Sequence, residues 1–285
     1  MNELEFLSGL RQLPLHDGAR NLEDDCAVLN FGGEALILTH DMMAEDTHFL
    51  PEANMADVAW KLVAMNLSDL ASKGAEPIGV LLGASLGKDD EGFIDGLRDA
   101  LSVYDCPLLG GDTISATGAS TFGITAIGRA THLPVPSRKG AKAGDAVYVT
   151  GTIGRAMLGF EGKKQYLDAI NRPKPRLAAG KALAPIVSAM MDISDGLLLD
   201  GWRMAQASGV TFRLNPELIP VADPARMDEC LRWGDDYELL FTASAKLELP
   251  IEVTRIGTVE EQANAPIYLG GTALVEPGFL GYQHS

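Results

Sequence analysis

Short apolar runs in this chain repeatedly begin or end on aspartates, several of them beside glycines, and that pattern limits the folds open to it. Asp24-Asp25 precede the run Cys26–Leu29, Asp41 follows Leu36–Thr39, and Asp112 follows Gly110-Gly111. Asp192 and Asp195 flank Ser194, and Asp235-Asp236 precede Tyr237–Thr242. Apolar runs of this length bounded by turn residues read as strands, so these carboxylates belong at sheet rims. Helical patterns lie between them. Asp57 is placed to cap a helix through about Ser72, closed by Gly74 with Pro77 beyond. Phe93, Ile94, Leu97, Leu101 and Tyr104 mark the apolar stripe of a second helix. With Gly79–Leu86 and Thr121–Ala130 as further strands, residues 20–130 follow the order ββαβαββ. That order predicts an open mixed sheet backed by two helices on one face.

Thr131–Lys142, rich in Pro, Gly and basic residues, reads as an inter-domain linker. Beyond it come a strand at Ala146–Thr150, a Gly151-Thr152-Ile153-Gly154 turn into a helix, and a Pro-rich bend at Arg172–Arg176. A helix to about Val187, the segment Met190–Asp195 and a helix over Leu197–Ala207 follow. Strands at Val210–Leu214, Tyr237–Thr242 and Ile251–Gly257 complete the pattern. The expected organisation is an N-terminal α+β domain over residues 1–135 and a C-terminal α/β domain over residues 136–285.

The 285 residues are long enough for two cores. No apolar run approaches the roughly 18 residues of a membrane span. The opening MNELEFLSGLRQ has no basic segment followed by an apolar one, so no secretory signal is expected. Cys26, Cys106 and Cys230 are scattered and odd in number, which fits a reducing cytoplasm better than disulfides or a zinc site. The formal charge of −16 disfavours nucleic-acid binding through a basic face. Solvated acidic surface would explain that charge, but aspartates beside glycines and strand ends are poorly placed for that purpose.

Hard cations such as magnesium take oxygen ligands, commonly carboxylates together with substrate phosphates. Asp25, Asp41, Asp112, Asp192 and Asp195 suit that chemistry. The glycines before Asp112 let a backbone approach an anion, and Asp192-Ile193-Ser194-Asp195-Gly196 leads into a helix N-terminus. Taken singly, each has a plainer reading. Asp195 reads as an N-cap, Gly111-Asp112 as a turn, His48 as a packed or surface histidine, and Asp69 as a solvated helical aspartate. Asn66 places a second polar group on the face of Asp69. Gly151–Gly154 fits either a phosphate cradle or a tight turn. No P-loop, dinucleotide fingerprint or protein-kinase motif occurs, so any use of ATP runs through carboxylates and metal.

Taken together, the segments resemble the thiamine-monophosphate kinase family, within the superfamily of aminoimidazole ribonucleotide synthetase and selenophosphate synthetase. The resemblance is carried by DDCAVL at 24–29, LTHDMMAEDTHF at 38–49, AWKLVAMNLSDLASKGAEP at 59–77 and LLGGDT at 108–113. It continues through SRKGAKAGDAVYVTGTIG at 137–154, RPKPR at 172–176, MDISDGL at 191–197, GDDYELLFT at 234–242 and GYQH at 281–284. It implies transfer of the ATP γ-phosphoryl group to thiamine monophosphate, several Mg²⁺ ions and a homodimer. It assigns Asp25, Thr39, His40, Asp41, Asp69, Asp112, Asp192 and Asp195 to metal, and Gly111, Asp112, Arg138 and Ser194 to ATP. His48, Asp235 and Tyr282 are assigned to the thiamine phosphate. The chain departs from the family pattern at His40 (usually Thr), Asn21-Leu22-Glu23 (usually Gly-Ile/Leu-Gly), Trp233–Asp236 (usually Gly-Gly-Glu-Asp) and Gln283 (usually Asp). A selenophosphate synthetase would carry a reactive Cys in a Gly-rich loop, whereas Cys26 sits in a strand pattern. A hydrogenase-maturation relative would end in cysteine. A protein that binds nucleotide and thiamine phosphate without turnover is the reading of a different class.

Overall fold

The computed structural model describes residues 3–87 and 89–282. Its first half runs α1 (Glu3–Leu10), β1 (Ala27–Phe31), β2 (Glu34–Ala44), α2 (Met55–Ser72), β3 (Ala75–Ser85), α3 (Asp90–Val103), β4 (Leu108–Ile114) and β5 (Thr121–Ala130). The strands form one five-stranded mixed sheet in the order β1-β2-β5-β3-β4. The ββαβαββ order is therefore realised. Gly32 and Gly33, at φ of 60° and 90°, make the two-residue turn that pairs β1 with β2.

The second half runs β6 (Asp145–Val149), α4 (Arg155–Phe160), α5 (Leu167–Asn171), α6 (Leu177–Leu183), β7 (Ala189–Asp192) and α7 (Leu197–Ser208). Then come β8 (Val210–Leu214), α8 (Met227–Trp233), β9 (Leu239–Ser244), β10 (Thr254–Glu261), β11 (Ile267–Leu269) and β12 (Thr272–Leu274). Its seven-stranded sheet has the order β12-β11-β8-β10-β6-β9-β7. All of β6 is buried because both faces are covered. Val147 and Val149 face the core under α7, while Ala146 and Tyr148 face the one under α6.

Helix α2 joins the two halves. One side lies on the first sheet through Leu62, Leu67 and Leu70, and Ala71 on the other side enters the core beneath α6. A helix buried nearly all round normally carries no polar residues in its middle. Here Lys61, Asn66, Ser68 and Ser72 are buried too, and each serves the site described below.

Several boundaries differ from the sequence reading. Asn54, not Asp57, caps α2, its side chain accepting from the Ala56 N–H. Asp57 in the first turn instead takes a 2.5 Å bond from Arg172. Gly110 and Gly111 lie inside β4 rather than in a turn, because β4 pairs in parallel with β3 through both residues. Gly196 stands at the N-terminus of α7 with no side-chain cap, so Asp195 is not an N-cap.

Candidate active site

Three aspartates from distant segments converge where the two halves meet. Asp25 precedes β1, Asp69 sits on α2 and Asp192 ends β7, and one carboxylate oxygen from each lies within 4.8 Å of the others. Local chemistry fixes each one. The Thr39 hydroxyl donates to Asp69, Ser68 donates to Asp192 at 2.7 Å and Ser72 to Asp25 at 3.0 Å. Asn66 accepts the Asp41 N–H at 3.0 Å, tying α2 to β2 where Asp41 joins the group. The polar patch read at Asn66 and Asp69 is thus the wall of a buried carboxylate cluster.

Crowding shows in the protonation equilibria. Burial, then the charges of Asp195 and Asp25, push Asp41 up to about 6. Burial and the charge of Asp25 push Asp192 up to about 8. Asp69 is raised well above the usual carboxylate range by burial and then by Asp41 and Asp192. An all-oxygen set of converging carboxylates, destabilised by its own repulsion, fits a hard divalent cation.

Other expected residues fall around this cluster in two groups. Arg138 binds Asp25, Nε standing 2.7 Å from Oδ1. The N–H groups of Ser194 and Asp195 both donate to Asp200 at 3.1 and 3.0 Å, and Arg203 pairs with Asp195. Two residues expected to contact the thiamine phosphate hang on the same turn: Asp235 N–H donates to Ser194 O, and Tyr282 N–H donates to Asp195 O. Asp235 itself accepts from Lys61 at 2.7 Å and from the Tyr237 hydroxyl at 2.8 Å. His48 closes the turn after β2, its Nδ1 accepting the Ala44 N–H at 3.1 Å.

Asp112 and the His40 ring are not in the cluster. Side chains alternate across a strand, so Thr39 and Asp41 face α2 while His40 faces away and meets Thr125 at 2.9 Å. His40, Met42 and Asp112 line a 210 Å³ cavity on the open face of the first sheet. Gly151–Gly154 is a tight turn, since Asp236 takes the Gly154 N–H at 2.9 Å and leaves it no anion to hold.

Residues that the sequence reading passed over include Asp200, fully buried and pushed up to about 7 by burial and then by Asp195. Lys61 and Lys73, both buried on α2 and its C-cap, were passed over as well. The one available signal for Asp200 was an aspartate interrupting the apolar Leu197–Leu199 run at a helix start.

Models of the AIR synthase related protein, N-terminal domain and C-terminal domain, match residues 23–130 and 142–265. The thiamine-monophosphate kinase of Escherichia coli (strain K12) is 38% identical, spanning 92% of this chain and 90% of its own. The chain belongs to the thiamine-monophosphate kinase family. The solved structure of AaThiL complexed with AMPPCP and TMP superposes with a TM-score of 0.87 at 27% identity, over 100% of this chain and 97% of that one. The thiamine-monophosphate kinase of Stenotrophomonas maltophilia K279a gives 0.76 at 31% identity, over 90% of this chain and 95% of its own.

Two of the positions expected to depart from the family pattern lie in unusual backbone. In the Asn21-Leu22-Glu23 block, Asn21 has φ of 60°, and Arg20 and Leu22 beside it have φ of 49° and 54°, a region that favours glycine. Arg11 holds that segment through the carbonyls of Asn21 and Leu22. Asp235, in the altered Gly-Gly-Glu-Asp block, also has positive φ, 58°. Gln283 lies outside the described residues. All three cysteines are free and buried, and burial raises the Cys26 thiol far above its ordinary range. Such a thiol lacks the thiolate character a nucleophile needs.

Proposed function

We propose that this chain transfers the γ-phosphoryl group of ATP to the phosphate of thiamine monophosphate, giving thiamine diphosphate. The observation that carries the proposal is the buried convergence of Asp25, Asp69 and Asp192 at the junction of the two halves. With family membership at 38% identity to a named kinase, that cluster has a reaction to serve. Asp25, Asp41, Asp69 and Asp192 would hold Mg²⁺, with Asp195 at its edge; Thr39 orients Asp69, and His40 borders the site through its backbone alone. When bound, Mg²⁺ neutralises the phosphate charge that an acidic protein would otherwise repel.

The protein groups position the rest. Arg138 offers a planar fork to phosphate oxygens, and Ser194, on the turn after β7, is a nucleotide contact in this reading. Gly111 and Asp112, on the open sheet face, are the remaining nucleotide contacts in this reading. His48, Asp235 and Tyr282 hold the thiamine phosphate. A phosphate acceptor is already ionised, so no general base is needed, and in-line transfer rests on positioning and charge. We also propose a homodimer formed over β4, all of whose residues are exposed, acting in the cytoplasm. Among the described residues no helix is long and apolar enough to cross a membrane.

The test is direct. Purified protein with ATP, Mg²⁺ and thiamine monophosphate should yield thiamine diphosphate, resolved by chromatography. Binding of both ligands without product would make it a sensor, and preference for free thiamine would overturn the acceptor assignment.

A further inference from the structure

Lys73 is the C-cap residue of α2, and its side chain is wholly removed from solvent. Its ammonium stands 2.5 Å from Asp24 Oδ1, 2.5 Å from Asp25 Oδ2 and 3.4 Å from the Met190 carbonyl oxygen. Two carboxylates and a carbonyl, drawn from two segments, are the oxygen surroundings of a bound cation. The opposite oxygen of Asp25 is taken by Arg138, and the second oxygen of Asp24 by Arg20 at 2.6 Å.

The charges therefore divide. Asp24 and Asp25 are ion-paired with Lys73, Arg138 and Arg20, whereas among the described residues Asp41, Asp69 and Asp192 form no ion pair.

We propose that Lys73 is a positioning residue acting as a resident cation: its ammonium takes the place of one divalent ion between Asp24 and Asp25 and directs metal to the side of Asp25 that meets Asp69 and Asp192. This rests on the reading of the cluster as a magnesium site. A buried ammonium serving structure alone would make the same bonds, but its removal would not change metal stoichiometry.

The experiment compares wild type, Lys73→Arg, Lys73→Met and the charge-balanced double variant Lys73→Met with Asp24→Asn. Mn²⁺ is titrated into each, free ion is read by electron paramagnetic resonance, and Tm is measured with and without Mn²⁺. Lys73→Met should bind one additional Mn²⁺ per chain and show a larger Mn²⁺-induced rise in Tm, while Lys73→Arg keeps the wild-type stoichiometry. Removing one partner of a buried ion pair is strongly destabilising, so Lys73→Met is expected to fold only with Mn²⁺ present. Recovery by Mn²⁺ supports the proposal. Failure to fold even with Mn²⁺, while the double variant folds, overturns it. Equal Mn²⁺ stoichiometry and equal Tm shifts in wild type and the folded Met variants also overturn it. If wild type binds no Mn²⁺ even with a non-hydrolysable ATP analogue, the magnesium reading itself fails.

Discussion

Asp41 and Asp192 are crowded carboxylates whose behaviour separates folding from catalysis. Asp41→Asn removes a charge wanted only when phosphates and metal are present. It should lower kcat by at least roughly 10²-fold, by analogy with loss of one electrostatic transition-state contact, while the Tm without metal holds or rises. Near-normal turnover at limiting Mg²⁺ would refute the cluster mechanism. Asp192 has a distinct pH signature. Its carboxyl is raised from 3.8 to about 8 in the folded chain, so between those values the native state keeps a proton that the unfolded chain releases. That contribution to stability is complete at low pH and declines as pH rises through the window. Asp192→Asn has no such proton to lose, and its amide oxygen can still accept from Ser68. In EDTA, the Tm of the variant relative to wild type should climb from pH 5 to pH 8.5, and excess Mg²⁺ should shrink the gap. A gap independent of pH would sink the assignment. At this scale the aspartates were legible because sheet rims and glycines marked them. Asp200 left only its place after the apolar Leu197–Leu199 run as a signal, and Lys73 left none, because its burial depends on segments far away in the sequence. Lys73 reads locally as an ordinary lysine at a helix C-terminus, where the macrodipole favours one.

Helix α2 shows why elements were easier to read than their surroundings. Its extent was legible to within a few residues, and Asn66 and Asp69 hinted at a polar face. What the pattern did not carry was a second covered side, because that depends on α6, more than a hundred residues later. The crossing is close: a Cβ on Gly180 would stand 1.9 Å from the Ala71 carbonyl oxygen. Gly→Ala inside a helix ordinarily stabilises by roughly 0.5–1 kcal/mol, but here overpacking should reverse the sign. Gly180→Ala is expected to cost about 1–3 kcal/mol, read as a lower urea midpoint with an unchanged m-value. Gly278→Ala is the control, since no atom lies within 4 Å of its added Cβ. It should move the midpoint by less than about 0.5 kcal/mol. Equal midpoints for the two variants would show that the helices separate freely.

For the whole molecule, the open face of the first sheet is what the single chain leaves unfinished. The opposite face is covered by α2 and α3, yet β4 is an edge strand exposed along its length, with Leu108, Leu109 and Ile114 all about half exposed. Met42 joins Ile114 at the cavity that also holds His40 and Asp112. A long apolar edge strand left open invites pairing or aggregation, and contiguous apolar surface of this kind marks an interaction site. A second copy of the chain is the occupant proposed for it, and a two-fold axis would let each copy present the same strand to the other. Gly111 and Asp112 lie on that strand, so the nucleotide contacts proposed for them would form beside the partner. Leu109→Asp and Ile114→Asp, alone or combined, should convert a dimer to a monomer by light scattering, because each buries a charge at the joint. Urea midpoints of the isolated chain should change little, since both positions are solvent-exposed in it. The KM for ATP should rise roughly tenfold or more, while the metal-induced Tm shift, which belongs to the buried carboxylates within one chain, should persist. A wild-type chain that is already monomeric at working concentration and fully active would remove the dimer from the account and leave the carboxylate cluster standing alone.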